Sequence, residues 1–297
     1  PPGSTIKPLM ALAGLEYDVI KPEDSVYCTG SYSLPGSRHR YREPKRGGTH
    51  GPVDMHRAVM KSCDVYFYRL ANTLGIQRIH DSMARMGFGQ PTGIDLQGER
   101  GGIMPSPEWK KGAFARREQQ VWFPGETVII GIGQGYWTAT LLQLAKATAL
   151  LAMRGQPYQP RLVRALMDPA TGKVEERKPH PLPRIELTHP ENWEIIVDAM
   201  VAVTTGGTAS RAARGADYSI AGKTGTAQVF SVGQTEKYDE KEVAERLRDH
   251  ALFVAFAPAE SPKLAVAVLV ENGGFGSSAA APIARAIFDA YLLPKAE

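Results

Sequence analysis

Residues 4–15, Ser4-Thr5-Ile6-Lys7-Pro8-Leu9-Met10-Ala11-Leu12-Ala13-Gly14-Leu15, read as one helix that begins close to Ser4. Pro1-Pro2-Gly3 before it is a turn. Pro8 does not break the helix, because the first four amides of a helix have no internal partner and proline is tolerated there. On such a helix positions i and i+3 share a face, which brings Lys7 beside the Ser4 hydroxyl. A serine alcohol becomes a nucleophile when a neighbouring base takes its proton. A lysine is that base only when neutral, and burial or a second nearby cation pushes it that way. The helix N-terminus adds free amides and partial positive charge around Ser4. Taken alone, Ser4-x-x-Lys7 is equally an N-capping serine with a solvated lysine.

Two further patterns follow along the chain. Ser62-Cys63-Asp64 interrupts an apolar run of helical spacing from Met55 to Leu74. By itself it is a helix break with a polar cap. Lys223-Thr224-Gly225-Thr226 lies between two segments of period two, Tyr218–Ala221 and Thr226–Phe230. By itself it is a tight turn with an exposed lysine; on an edge strand beside the serine helix, Lys223 would hold a substrate carboxylate. Gly225 allows close approach of backbone or ligand. Ser62 follows Ser4 by 58 residues, and Lys223 follows Ser62 by 161.

The rest of the chain sorts into two kinds of pattern. Residues 21–52 are irregular and rich in Gly, Pro, Ser and Arg, and 100–127 is loop-like with Gly101-Gly102 and several prolines. Residues 138–154 are apolar nearly all round, predicting a helix buried at the centre of a helical lobe, and the Met and Leu residues near 141–153 read as core. An amphipathic helix fits 191–204. Ala251–Ala257 and Leu264–Val270 read as buried strands, 234–249 as a charged, exposed excursion, and Ala280–Leu293 as a closing helix. The predicted plan is α+β: a helical lobe of about 17–205, inserted between the Ser4 helix and a C-terminal antiparallel sheet at 215–297.

Bulk properties narrow the class. The chain has 297 residues, 43% hydrophobic and 22% charged, enough for a sizeable core. A net charge of +4 with no basic, aromatic-interleaved run argues against nucleic acid. No apolar stretch reaches the length of a membrane span, and no signal peptide opens the chain. A chain opening on a helix-entry motif at residue 4 is expected to be a fragment whose membrane anchor lies upstream. Two cysteines, Cys28 and Cys63, do not make a disulfide scaffold.

Taken in order, S-x-x-K, S-x-[ND] and K-[ST]-G make the chain resemble the penicillin-binding proteins and serine β-lactamases. Further stretches carry the resemblance across essentially the whole chain. They are Gly131-Ile132-Gly133-Gln134-Gly135-Tyr136-Trp137-Thr138, Ala221–Phe230, Arg246-Leu247-Arg248-Asp249-His250 and Phe253-Val254-Ala255-Phe256-Ala257-Pro258. These look like a class B penicillin-binding protein of the elongation type.

That resemblance implies a single transpeptidase domain over 1–297, with its anchor and pedestal upstream, on the periplasmic face of a bacterial inner membrane. It implies that Ser4 attacks the penultimate D-alanine of a peptidoglycan stem peptide, with Lys7 as base, and is acylated by β-lactams. The Ser4 and Thr226 amides would form an oxyanion hole, Ser62 would relay the proton, and Asp64 would order the network. Lys223, Thr224, Gly225 and Thr226 would bind the terminal carboxylate. Asp64 stands where many relatives have asparagine, and an ionised carboxylate there would oppose the base role of Lys7. Partners implied are a membrane glycan polymerase and a scaffold. A β-lactamase would need a base that activates water, for which no local glutamate signature is visible, and 161 residues exceed the gap in compact β-lactamases. A non-catalytic β-lactam sensor would share Ser4 and Lys7.

Some relatives carry zinc in the irregular segment, where Cys28, Glu43, His50 and Cys63 follow a C-x14-E-x6-H-x12-C spacing. Two thiolates, an imidazole and a carboxylate make a tetrahedral zinc set. The alternatives are a Cys28–Cys63 disulfide, unrelated thiols, or ligands drawn from His39, Asp54 and His56.

Overall fold

A helix with no polar face has to be surrounded, and helix α1 (Lys7–Glu16) is: every residue from Lys7 to Leu15 is buried. The computed structural model describes residues 1–44, 48–229 and 244–294. The turn leading into α1, Gly3–Ile6, is 3-10 rather than α, and no side chain caps it. The capping reading of Ser4 therefore does not hold. Pro8 sits in the first turn of α1, where it removes no hydrogen bond.

Two small antiparallel pairs follow, β1 (Val26–Cys28) with β4 (Gly51–Val53) and β2 (Ser31–Tyr32) with β3 (Tyr41–Arg42). The apolar run from Met55 breaks as the sequence indicates, into α2 (Met55–Lys61) and α3 (Asp64–Arg85). Asp54 caps α2 by accepting the Arg57 amide at 2.7 Å, and Ser62 ends it in the left-handed region at φ 58°. Helix α3 is bent at Gly75.

The stretch 100–127 was expected to be a loop but holds α4 (Pro107–Ala113), α5 (Arg117–Gln120) and the start of α6 (Pro124–Ile130). Two of its prolines, Pro107 and Pro124, are first-turn residues, whose missing amide and fixed φ suit a helix start. Helix α7 (Leu141–Ala152) is capped by Thr140 and Gln143 in a reciprocal box. It packs on the C-terminal sheet rather than at the centre of a helical lobe, and Leu141 and Met153, expected in the core, are exposed. A hairpin, β5 (Ala165–Met167) with β6 (Val174–Glu176), precedes α8 (Asn192–Thr205) and α9 (Ser210–Ala213).

The C-terminal sheet is antiparallel in the order β7 (Ala221–Ala227), β8 (His250–Ala257), β9 (Leu264–Val270). Seven consecutive residues of β8 are buried, so both of its faces are covered. Helices supply the cover: α10 (Ala280–Leu292) lies against β8 and β9, α7 against β9 and β8, and α8 against β7. Lys223-Thr224-Gly225-Thr226, expected between two strands, lies inside the single strand β7. Pairing with β8 along its whole length overrides the weak strand preference of this Gly-containing stretch. Phe230 and most of the charged 234–249 segment fall outside the described residues; within it, Glu245–Leu247 forms a 3-10 turn. The observed architecture is α+β, as expected, with small sheets inside what was read as a purely helical lobe.

Helix α6 ends where it touches α3. A Cβ on Gly131 would overlap that of Ala71 and lie 2.9 Å from the Phe67 carbonyl oxygen, whereas Gly112 in α4 faces open space. Gly131→Ala is expected to destabilise the protein by about 1–3 kcal/mol. Gly112→Ala is expected to leave stability unchanged or raise it by up to about 1 kcal/mol. Denaturant midpoints of the two variants check the pair.

Candidate active site

The first wall of the site is Lys7. Its side chain is completely buried, so it is not the solvated lysine of the simpler reading. The ammonium donates to the Ser62 carbonyl at 2.8 Å and the Ser62 hydroxyl at 3.1 Å, and it pairs with the Asp64 carboxylate. The Phe67 ring lies 5.4 Å away. An ammonium in such a place is costly unless paired, and Asp64, itself buried at the first turn of α3, provides the partner. Ser4, one turn back, is the partly exposed residue of an otherwise buried segment. The structure thus brings Lys7, Ser62 and Asp64 into direct contact and leaves Ser4 at their open side.

Strand β7 makes the second wall. It is an edge strand, and its Lys223 is also fully buried. Lys223 donates to the Thr224 carbonyl at 3.1 Å. Burial, and then the charge of Lys7, pull its pKa well below the ordinary lysine value. Two buried lysines share one carboxylate, that of Asp64, a shortage of negative charge that favours an anionic ligand. Gly225 is where the walls meet: a Cβ there would lie 2.6 Å from Thr5 Cγ2 and 3.3 Å from the Pro2 carbonyl oxygen. Gly3, at φ 56°, comes as close from the other side. A Cβ on it would stand 2.5 Å from the Thr226 oxygen and 3.2 Å from the Thr226 nitrogen.

Three contacts at this junction were not assigned from the sequence. Gln134, inside a quoted motif but without a role there, donates its side-chain amide to the Thr226 carbonyl at 2.9 Å. The Thr208 hydroxyl lies 2.8 Å from that of Thr224. Gly276 fits over β7 with room for no side chain, 2.6 Å from the Gly225 oxygen by its would-be Cβ. The available signal was glycine: Gly133 and Gly135 flank Gln134, and Gly206-Gly207 precede Thr208.

Behind Ser62-Cys63-Asp64 lies a second cluster. Cys63 points away from Lys7 and donates to Glu43 Oε1 at 3.1 Å. Cys28 Sγ is 3.6 Å from both Glu43 Oε1 and His50 Nδ1, and His50 Nδ1 is 3.7 Å from Glu43 Oε1. Among the described residues these four form the one group that could hold a metal, with donor atoms all within 4.8 Å of one another. Tetrahedral bonds of about 2.0–2.3 Å place donors about 3.3–3.8 Å apart, so the set fits a small ion with little movement. Both cysteines are free thiols, which removes the disulfide alternative. Of the other ligands considered, Asp54 is engaged as the α2 cap and His39 packs on the Tyr41 ring at 4.6 Å. Burial and the Asp64 charge raise the pKa of Glu43, and burial with Glu43 raises that of Cys63.

The penicillin binding protein transpeptidase domain matches residues 1–289. The chain belongs to that family. Its transpeptidase fold is 44% identical over 296 residues to the peptidoglycan D,D-transpeptidase MrdA of Acinetobacter baumannii, covering 99% of this chain and 43% of that protein. It superposes with a TM-score of 0.85 on Pseudomonas aeruginosa PBP2 in complex with WCK 5153, at 45% identity over 99% of this chain and 59% of the other. Penicillin-binding protein PBP2 of Helicobacter pylori, in its complex with MreC, gives a TM-score of 0.81 at 30% identity, over 98% of this chain and 49% of that one. The chain spans less than half the length of the curated relatives it matches.

The Lys7–Asp64 pair in this transpeptidase domain is open to a thermodynamic check. Asp64→Ala leaves a buried ammonium unpaired and is expected to cost about 3–5 kcal/mol, while Lys7→Met combined with Asp64→Leu recovers most of that. Equilibrium unfolding of the two variants measures both.

Proposed function

We propose that this chain is the catalytic part of a peptidoglycan D,D-transpeptidase that works through a Ser4 acyl-enzyme and is a target of β-lactams. The observation that carries the reading is the burial of Lys7 against Ser62 and Asp64, one helical turn from the partly exposed Ser4. In this reading Ser4 Oγ adds to the carbonyl of the penultimate D-alanine while Lys7 takes its proton, which requires the proton shared between Lys7 and Asp64 to reside on Asp64. The amide bond breaks, D-alanine leaves with a proton relayed through Ser62, and an amine of a second stem peptide attacks the ester to make the cross-link. Lys223 and Thr224, with Thr226 and the narrow floor at Gly225, receive the terminal carboxylate, consistent with the positive balance of the site. The Ser4 and Thr226 amides receive the oxyanion, an interaction worth about 3–4 kcal/mol per donor.

Cys28, Glu43, His50 and Cys63 would hold a structural zinc, a closed four-ligand set that offers no open position for chemistry. Its effect on the site would be to fix Cys63, and with it Ser62 and Asp64 on either side. By resemblance to the PBP2–MreC complex, the whole protein would act beside a scaffold and a glycan polymerase in cell elongation, on the outer face of the inner membrane. Among the described residues no helix is long and apolar enough to cross a membrane.

Incubation with a penicillin is expected to raise the intact mass by one drug mass, and Ser4→Ala to abolish the gain. An unmodified wild type would sink the Ser4 reading, and release of the drug within seconds would favour a β-lactamase instead. Purified protein is expected to carry about one zinc per chain, and Cys63→Ala to lose both the metal and thermal stability. A metal-free wild type rules the zinc out.

A further inference from the structure

The motif Gly131–Thr138 is larger than its share in the chemistry so far. It hangs from the end of α6, where the Gly133 and Gln134 amides donate back to the Ile130 and Ile129 carbonyls at 2.9 and 3.2 Å. Gly133 then accepts the Gly3 amide at 2.9 Å, and its φ of 74° and its contact with the Gly3 carbonyl admit no side chain. The next residue, Gln134, nearly buried, donates its side chain to the Thr226 carbonyl at 2.9 Å. Two consecutive residues of one turn therefore grip the entry to the serine helix and the free edge of β7.

The grip falls at a defined place on β7. In an antiparallel pair, residues alternate between exchanging both backbone bonds with the neighbour and pointing both groups outward. The Thr226 carbonyl is taken by Gln134 and so points away from β8; its amide points the same way, toward Gly3, whose would-be Cβ lies 3.2 Å from the Thr226 nitrogen. Ser4 follows Gly3 directly. The backbone at Gly3, next to Ser4, and at Thr226 is thus held by one turn, through Gly133 and Gln134 respectively.

We propose that Gln134 is a positioning residue for acylation: it sets the width of the oxyanion hole by holding Thr226 while Gly133 holds Gly3. This rests on the Ser4 acyl-enzyme reading above. It assigns Gln134 an effect on the acylation rate rather than on the affinity for the drug, since its bond is to the Thr226 backbone and not to the Lys223, Thr224 and Thr226 side chains given to the carboxylate.

Saturation kinetics with a chromogenic β-lactam separate the dissociation constant of the first complex from the acylation rate constant. Gln134→Ala is expected to lower the rate constant by about tenfold to a hundredfold, with the dissociation constant little changed. In the trapped acyl-enzyme the ester carbonyl stretch should move to higher wavenumber, because a widened hole donates weaker hydrogen bonds to it. Gln134→Met, which keeps the volume and removes only the donor, should behave alike and serves if the alanine variant does not fold. An unchanged rate constant and ester band in either folded variant overturns the proposal. So does a slower rate accompanied by a lowered melting temperature and an unmoved ester band, which would assign Gln134 to folding alone. A wild type that is never acylated fails the Ser4 reading instead and is recognised by the mass measurement.

Discussion

A lysine ammonium removed from water near the start of α1 has to be met by something, and the way it is met organises the molecule. Asp64 reaches Lys7 only because α2 stops at Ser62 in a left-handed turn and α3 restarts two residues later. That break, in turn, aims Cys63 into the Cys28, Glu43, His50 cluster on the opposite side. The position of α3 then fixes α6 through the tight contact at Gly131, and α6 carries the turn that reaches Gly3 and Thr226. The buried pair, the sulfur cluster and the junction with β7 are consequences of one another rather than separate sites.

The second lysine gives the site its sign. Lys223 loses hydration by being enclosed on β7 and is further disfavoured by Lys7, so its charge is unwelcome until a counter-charge arrives. Under the proposed reading that counter-charge is the terminal carboxylate of the ligand.

Much of this was readable from residue order. The helix at Ser4, the break at 61–64, the strands 251–257 and 264–270 and the helices 192–205 and 280–292 follow from periodicity and breakers, which are local signals. The three motifs were readable for the same reason, since S-x-x-K is set by helical geometry. What failed was long-range. Residues 107–127 looked like loop because Pro107 and Pro124 sit at helix starts, and 221–227 looked interrupted because its strand character comes from β8. Leu141 and Met153 are apolar but stand exposed at the two ends of α7, as its first residue and its C-cap. Gln134 and Thr208 were marked only by the glycines beside them, because each acts on a residue elsewhere in the chain.

Glycines crowd the junction between the Gly3 turn and β7 on several sides. Gly3, Gly133, Gly225 and Gly276 each lie where a methyl group would strike backbone or a buried side chain. The inner site consequently has no slack for gradual remodelling. A lineage under pressure from an inhibitor at this junction has few single substitutions available within it, and is pushed to change residues around it, such as the exposed Phe275 next to Gly276. The same close packing that gives the chemistry its geometry restricts the routes by which the protein can diversify around it.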